Sequence, residues 1–263
     1  GCVPSKALIR AARCAKECRT NAAELGIRIV GGAASVEVDF GAVMTRMRRL
    51  RAQIAPADAL ETSVKVGVDC YQGYAKMVSP DAVEVNGQTL RFKNLVIATG
   101  GSPAVPSIPG LKEALDMGRA HTNASVFNLT EQPKRMIVIG GGPIGLEMAQ
   151  AFALFGTQVT VMLRGDKLLP KEDPDAAKII HETLLADNIR VLFGCKFDRV
   201  ENPASSAEAH VVVTREGEQS TVVCDTLLVA TGRKPNVTGM GLDVGNVKFS
   251  TSDGVEVDNM LRS

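Results

Sequence analysis

The chain has 263 residues, of which 45% are hydrophobic and 22% charged, with a formal net charge of +1 at pH 7. That length accommodates two modest domains at about 150 residues each, and the composition is that of an ordinary globular protein. The charge balance gives no argument for a nucleic-acid or anionic-membrane partner, and no apolar run approaches the ~20 residues of a membrane span.

Six cysteines, at positions 2, 14, 18, 70, 195 and 224, have neither zinc-ligand spacing nor the framework of a secreted disulfide domain. A reducing compartment such as the cytoplasm suits them, and no metal site is expected. The chain opens at Gly1-Cys2 with no Met and no targeting segment, so it reads as an internal piece of a longer protein.

Gly1-Cys-Val-Pro-Ser-Lys6 leads into a helical pattern running to about Glu24. Pro4 suits a first helical turn, where its missing N–H costs nothing. Cys2 therefore sits beside a helix N-terminus with Lys6 nearby, a setting in which a cysteine can serve as a thiolate. Cys14 and Cys18, at i and i+4, are expected to be packing residues. Asp39 is placed to cap a second helix carrying Phe40, Val43, Met44, Met47, Leu50 and Ile54 at helical spacing. Arg46, Arg48, Arg49 and Arg51 spread over its other faces and are read as solvated.

From Val68 the period changes to that of strands. Val83, Val85 and Leu90 flank Asn86-Gly87, a strong hairpin signal. Asn94 to Gly101 is expected to be a buried strand ending in the small-residue turn Ala98-Thr99-Gly100, and Ser102 to Gly110, with three prolines, a linker.

Met136 to Ile139 is a short β-branched apolar run, followed by Gly140-Gly-Gly-Pro-Ile-Gly145 and an apolar helix through Met148, Ala151, Phe152 and Phe155. A second strand spans Gln158 to Leu163. This strand, glycine turn, helix and strand match a dinucleotide-binding βαβ unit. Its first glycine permits the tight turn, its second lets a pyrophosphate approach the backbone, and its third allows close helix–strand packing. An acid at the end of the second strand would hold the ribose 2′-hydroxyl of NADH, whereas cations accommodate a 2′-phosphate. Here that position is Leu163, followed by Arg164 and Lys167, which favours NADPH over NADH.

Asp173-Pro174 opens a further helix bearing His181, read as solvated; His121 and His210 show no acid or nucleophile partner. Val211–Val213 and Thr221–Val223 read as strands around Glu216-Gly217. Leu227-Leu-Val-Ala-Thr-Gly232 then repeats the earlier phrase, so that hairpin strands, an apolar strand and Ala-Thr-Gly occur twice, as two nucleotide-binding halves built on one plan would produce.

The Gly1–Lys6 motif, the two Ala-Thr-Gly turns, Gly140–Glu147 and Gly232-Arg-Lys-Pro-Asn236 occur in that order across nearly the whole chain. Together they resemble the flavoprotein pyridine nucleotide–disulfide oxidoreductases. Leu146–Ala153 and Met44–Ile54 are most similar to its mercuric reductase branch. Arg164-Gly-Asp-Lys167 is similar to the NADPH-reading segment of glutathione reductases. Dihydrolipoamide dehydrogenases share the core motifs but usually carry an acid where this chain has Leu163.

The resemblance implies an α/β fold of two Rossmann-like FAD- and NAD(P)-binding domains, each with a small β-meander, the FAD domain incomplete. Its expected divisions are residues 1–115 for FAD, 116–240 for NADPH, and 241–263 returning to the FAD domain. It also implies that NADPH delivers hydride to FAD, and that reduced flavin opens a Cys-x-x-x-x-Cys disulfide whose second member is Cys2. Lys6 and Glu147 are implied as an ion pair beside the flavin. Lys6, Ala75, Thr99 and Gly100 match FAD-side positions. Gly140, Gly141, Gly142, Pro143, Ile144, Gly145, Glu147, Arg164, Lys167 and Gly232 match the nicotinamide-nucleotide side. The implied partner is a small disulfide or metal-ion substrate, and the parent protein a homodimer. In the family the partner cysteine and the first glycine turn precede the residue matching Gly1. A Gly-Asp turn and a dimerisation domain with a His-Glu pair follow the one matching Ser263.

Overall fold

A computed structural model describes residues 2–263; Gly1, the first member of the Gly1–Lys6 motif, lies outside the described residues. Contacts group the chain into two units. One joins the residues up to Ile54 to Val105–Gly232, and the other joins Ala55–Ala104 to Arg233–Ser263. This grouping cuts the chain elsewhere than at 115 and 240, because the N-terminal helices pack on the glycine-turn helix.

In the first unit, β5 (Ala120–His121), β12 (Thr226–Val229), β6 (Arg135–Ile139), β7 (Gln158–Met162) and β8 (Arg190–Leu192) form a parallel sheet in that spatial order. β6 and β12 are buried on both faces, as strands inside a parallel sheet are. The side-chain period of two sorts their residues. Met136, Val138, Val159, Val161 and Leu228 face one core, while Ile137, Ile139, Met162, Leu227 and Val229 face the other.

The first core is closed by helices. α5 (Pro143–Phe155) crosses from β6 to β7, and α6 (Pro174–Ala186) from β7 to β8. Onto α5 pack α1 (Cys2–Thr20) and α2 (Phe40–Ile54), burying Ala7, Leu8, Ala12, Phe40, Met44 and Met47. Phe40 meets Phe152 and Phe155 with ring centroids 5.8 and 6.1 Å apart. Both expected caps are present: the Asp39 carboxylate accepts from the Ala42 N–H at 2.8 Å, and Asp173 accepts from Asp175 and Ala176.

The second core is closed by the short α4 (Leu111–Asp116) and an antiparallel meander of β9 (Lys196–Glu201), β10 (Ala209–Arg215) and β11 (Glu218–Cys224). Glu216 and Gly217 turn the β10–β11 hairpin with φ of 52° and 86°, the left-handed pair that such a turn requires. The meander is tied to the sheet by charge. Asp225 accepts from the Arg135 N–H at 2.7 Å and from its guanidinium at 2.8 Å, and Arg135 also pairs with Glu208.

The second unit holds α3 (Leu60–Lys65), the meander β1 (Lys76–Ser79), β2 (Ala82–Val85) and β3 (Gln88–Arg91), and two small pairs. One pair joins β4 (Gly101–Pro103) to β13 (Arg233–Pro235), the other β14 (Phe249–Ser250) to β15 (Gly254–Val255). Asn86 and Gly87 turn the β2–β3 hairpin as expected, with φ of 50° and 79°. The fold is thus the α/β, Rossmann-like FAD/NAD(P)-binding type, with a meander in each unit and one parallel sheet among the described residues.

Several expectations fail; among them, Arg46 and Arg48, read as solvated, are half-buried and donate to the Ala7 and Leu129 carbonyls. The apolar run 94–98 is not a buried strand: among the described residues no strand pairs with it, and Val96 is 85% exposed. An apolar run becomes a buried strand only where neighbours satisfy its backbone. α1 stops at Thr20 rather than near Glu24, in turns where the N–H groups of Asn21 and Ala22 both bond to the Glu17 carbonyl. Cys14 is exposed rather than packed, because the buried stripe of α1 runs through Ala7, Leu8, Ala12 and Ala15.

The Arg135 anchor sets an acid limit on stability. Burial pushes the Asp225 carboxyl up, but hydrogen bonds from the Arg135 side chain and from backbone N–H groups, with the Arg135 charge, outweigh this and hold it below its ordinary 3.8. A depressed carboxyl contributes fully above its unfolded value, and the contribution disappears as pH falls through the folded one. The urea midpoint should therefore drop as pH is lowered past 3.8. Asp225→Asn should lower the midpoint at pH 7 and flatten that acid limb; an unchanged limb would remove Asp225 as its source.

Candidate nucleotide and thiol site

The site begins where β6 ends. Gly140 has φ of 122°, and a Cβ there would run into the carbonyl oxygen of Ala230, so the turn requires glycine. A Cβ on Gly145 would stand 3.0 Å from the Gly140 oxygen and 3.1 Å from the Ala230 methyl, which is the close helix-to-strand packing expected of the third glycine. Gly142 differs: nothing lies within 4 Å of where its Cβ would be. It is the N-cap of α5, no side chain caps the helix, and Pro143 occupies the first turn. The N–H groups of that turn therefore open onto free space with the positive end of the helix dipole behind them. Ile144 is exposed beside them.

Beyond β7, Leu163 is buried and brings no carboxylate. The next four residues, Arg164, Gly165, Asp166 and Lys167, are exposed. Among the described residues, neither Arg164 nor Lys167 has an ion-pair partner.

The second half of the site is where α1 crosses α5. Lys6 Nζ lies 2.6 Å from Glu147 Oε1, joining residues 141 positions apart in sequence. The side chains are 61% and 39% exposed, so the pair is a surface contact set by the packing beneath it. Cys2, one helical turn before Lys6, carries a free, exposed thiol, and its carbonyl accepts from the Ser5 hydroxyl at 3.0 Å. The structure therefore brings Lys6 onto Glu147, in the helix that follows the glycine turn, with Cys2 one helical turn before Lys6, all in the first unit.

Ala75, Thr99 and Gly100 belong to the second unit and are exposed. Sequence reading overlooked what holds that turn. The Thr99 hydroxyl donates to the Asn236 carbonyl at 2.7 Å, the Asn236 amide donates to the Thr99 carbonyl at 2.9 Å, and the Asn236 N–H to Gly100 O at 3.0 Å. The only signal for Asn236 was its place at the end of Gly232-Arg-Lys-Pro-Asn. Gly232 is exposed with φ of 134°, just before β13.

The histidines have neighbours that the sequence did not reveal. His121 lies 3.3 Å from the Ser125 hydroxyl, and burial pushes its pKa down. His210 lies 3.8 Å from Glu208. His181, read as solvated, stands edge-on to Phe193 at 5.4 Å and lines a cavity of about 350 Å³ with Lys167, Leu168 and Leu169. None of the three adjoins Cys2. Cys224 is a buried thiol, its pKa pushed up to about 12 chiefly by that burial, and Cys195 is shifted upward for the same main reason. Both are unsuited to thiolate chemistry.

Comparison with known proteins identifies the family. The sequence profile described as pyridine nucleotide-disulphide oxidoreductase matches residues 1–263. A mercuric reductase of Lysinibacillus sphaericus is 34% identical over 98% of this chain and 45% of its own length, and one of Staphylococcus aureus 32% identical over 100% and 46%. A dihydrolipoyl dehydrogenase of Acholeplasma laidlawii is 30% identical over 98% of this chain and 74% of its own. Among solved structures, the Cu(II) complex of an HOCl-induced flavoprotein disulfide reductase from Escherichia coli superposes with a TM-score of 0.78 at 23% identity, covering 100% of this chain and 53% of that one, which shows a shared fold. The chain spans about half the length of both mercuric reductases. With the family profile matched from end to end, the chain belongs to the pyridine nucleotide-disulphide oxidoreductase family.

Proposed function

We propose that this chain is the electron-transfer core of an NADPH-dependent, FAD-containing disulfide reductase of the mercuric reductase kind. The observation that carries the reading is the Lys6–Glu147 contact, which sets the helix bearing an exposed thiol against the helix that follows the glycine turn. The open face at Gly142 fits a pyrophosphate, with the first-turn N–H groups of α5 as donors. Arg164 and Lys167 supply the charges that a 2′-phosphate requires, so NADPH is favoured over NADH. On the flavin side, Lys6, Ala75, Gly100 and Thr99, the last clamped by Asn236, are the candidate contacts.

FAD, when bound, supplies the redox chemistry between nicotinamide and sulfur. The chain's own residues position and pair. Gly140–Gly145 orient the nucleotide through backbone donors, with Pro143 and Ile144 forming the exposed rim. Glu147 and Lys6 neutralise each other, so neither presents an isolated charge to a neighbouring flavin ring. Cys2 offers Sγ as the sulfur that gives and takes electrons with a second cysteine. We assign residues 1–115 and 241–263 to the flavin side and 116–240 to NADPH, the acceptor to a small disulfide or Hg(II), and the assembly to a homodimer. A dihydrolipoamide dehydrogenase is the second reading, favoured by the relative from Acholeplasma laidlawii.

Anaerobic titration of the FAD-loaded protein with NADPH, followed by an acceptor panel of Hg(II) and lipoamide, tests the reading. A colourless protein that binds NADPH without turnover would reduce it to a nucleotide-binding module. Cys2→Ser should abolish acceptor-dependent NADPH oxidation while the flavin absorbance is retained; surviving turnover would remove Cys2 from the path. Arg164→Ala should weaken NADPH by at least about tenfold and NADH by less than about twofold, since one charge-assisted hydrogen bond is worth ~1.5–3 kcal/mol. Glu147→Gln should change unfolding free energy by less than about 1 kcal/mol, because exposed pairs contribute little, and yet lower turnover. A large stability loss would make the pair structural instead.

A further inference from the structure

The exposed stretch Arg164–Lys167 is anchored at both ends. At its start, the Cys195 N–H donates to the Leu163 carbonyl at 2.9 Å and the Gly194 N–H to the Gly165 carbonyl at 3.1 Å. At its end, the chain turns back onto the glycine turn. The Leu169 N–H donates to the Gly141 carbonyl at 2.9 Å, and the Leu168 side chain, 4% exposed, packs on Gly141. A Cβ on Gly141 would stand 3.0 Å from Leu163 Cδ1 and 3.1 Å from Leu168 Cδ2, so the two leucines close over that glycine from both ends of the loop.

The backbone of the second anchor is strained. Leu169 has φ of 48°, in the left-handed region that bulky residues enter only when the surroundings impose it. What imposes it here is the bond to Gly141, continued by the Glu172 N–H bonding to the Leu169 carbonyl at 2.9 Å. A loop of four exposed residues carrying two cations without ion-pair partners would otherwise sample many conformations, and ordering it on binding costs affinity.

We propose that Leu168 and Leu169 are positioning residues for nucleotide selection: they latch the Arg164–Lys167 loop onto the glycine turn, so that the cations stand ready for the 2′-phosphate of a nucleotide whose pyrophosphate binds that turn. The proposal rests on the reading of Arg164 and Lys167 as contacts to a 2′-phosphate. The latch gives the loop a fixed register to the pyrophosphate site because Gly141 belongs to both. Its effect through the cations is confined to nucleotides that carry the phosphate, while any effect through Gly141 is common to NADPH and NADH and cancels in the ratio of their affinities.

The test compares affinities of NADPH and NADH by calorimetry for wild type, Leu168→Ala and Leu168→Met. A wild type without preference for NADPH would overturn the cofactor reading itself. Given that preference, Leu168→Ala should weaken NADPH by about tenfold with NADH changed less than about twofold, in line with the sensitivity of bound geometry to small misplacements. Leu168→Met, which conserves volume, should restore most of the loss. Equal weakening of both nucleotides, or no weakening of either, would make Leu168 an ordinary core residue and overturn the latch. Should the alanine variant fail to fold, Leu168→Val carries the same comparison with an expected loss of about threefold, judged by the same ratio.

Discussion

The site depends on how closely α1 can lie on α5. The two helices share one core that includes the small residues Ala7, Ala12, Ala149 and Ala151, with Leu8 and Phe152 fully buried in it. Burying a Leu or Phe side chain contributes about 1.5–3 kcal/mol. An ion pair as exposed as Lys6–Glu147 contributes less than about 1 kcal/mol. The packing therefore fixes where the pair falls, and the pair does not hold the helices together. A second tie works in the same direction away from the site. Asp187, at the end of α6, accepts from Lys16 of α1 at 2.6 Å and from Gln150 of α5 at 2.8 Å, with its own side chain 5% exposed. Three helices are thus locked around one buried carboxylate. The end of α1 that carries Cys2 and Lys6 stays exposed.

The parallel sheet separates two kinds of work. Its helical face carries the core that positions α1 and α5, and its other face is sealed by the β9–β11 meander through the Arg135–Asp225 anchor. The glycine turn sits at the carboxyl end of β6, where the neighbouring strand β12 ends just before Ala230. The close approach of Gly140 to the Ala230 carbonyl uses that edge tightly. The N–H groups at the start of α5 have no side-chain cap, because the N-cap position is Gly142 and carries no acceptor. A helix end left in this way is satisfied by water or an anion.

The parts legible in the sequence were those whose signal is local. β6, α5 and β7 followed from a β-branched run, spaced glycines and helical periodicity, and the two hairpins from Asn86-Gly87 and Glu216-Gly217, whose φ values came out positive as such turns require. What failed required knowing neighbours distant in sequence. Residues 94–98 look like a buried strand because apolar content is visible in a sequence while strand partners are not. The placement of α1 on α5 was equally hidden, as was the clamp of Asn236 on Thr99. The Lys6–Glu147 contact was reachable only through family resemblance, since nothing in spacing links residues 141 apart. Leu169 illustrates the limit best: a bulky residue gives no sign that its backbone will be left-handed, and that conformation exists only because Gly141 is there to accept its N–H.

The distribution of charge separates structure from ligand recognition. The chain has 30 basic and 29 acidic residues, so partners are plentiful. Where cations support the fold, they are paired: Lys16 with Asp187, and Arg135 with Asp225 and Glu208. Arg164 and Lys167 flank Asp166 and still have no partner among the described residues, although they stand on a loop whose ends are held at Leu163, Gly165 and Leu169. A backbone held at both ends limits how far these two exposed cations can separate, though water screens them and Asp166 lies between them. Lys6 makes the opposite case. It is exposed like them but paired with Glu147. Lysine thus stands in two electrostatic settings in one unit, distinguished by whether the fold has already provided its counter-charge.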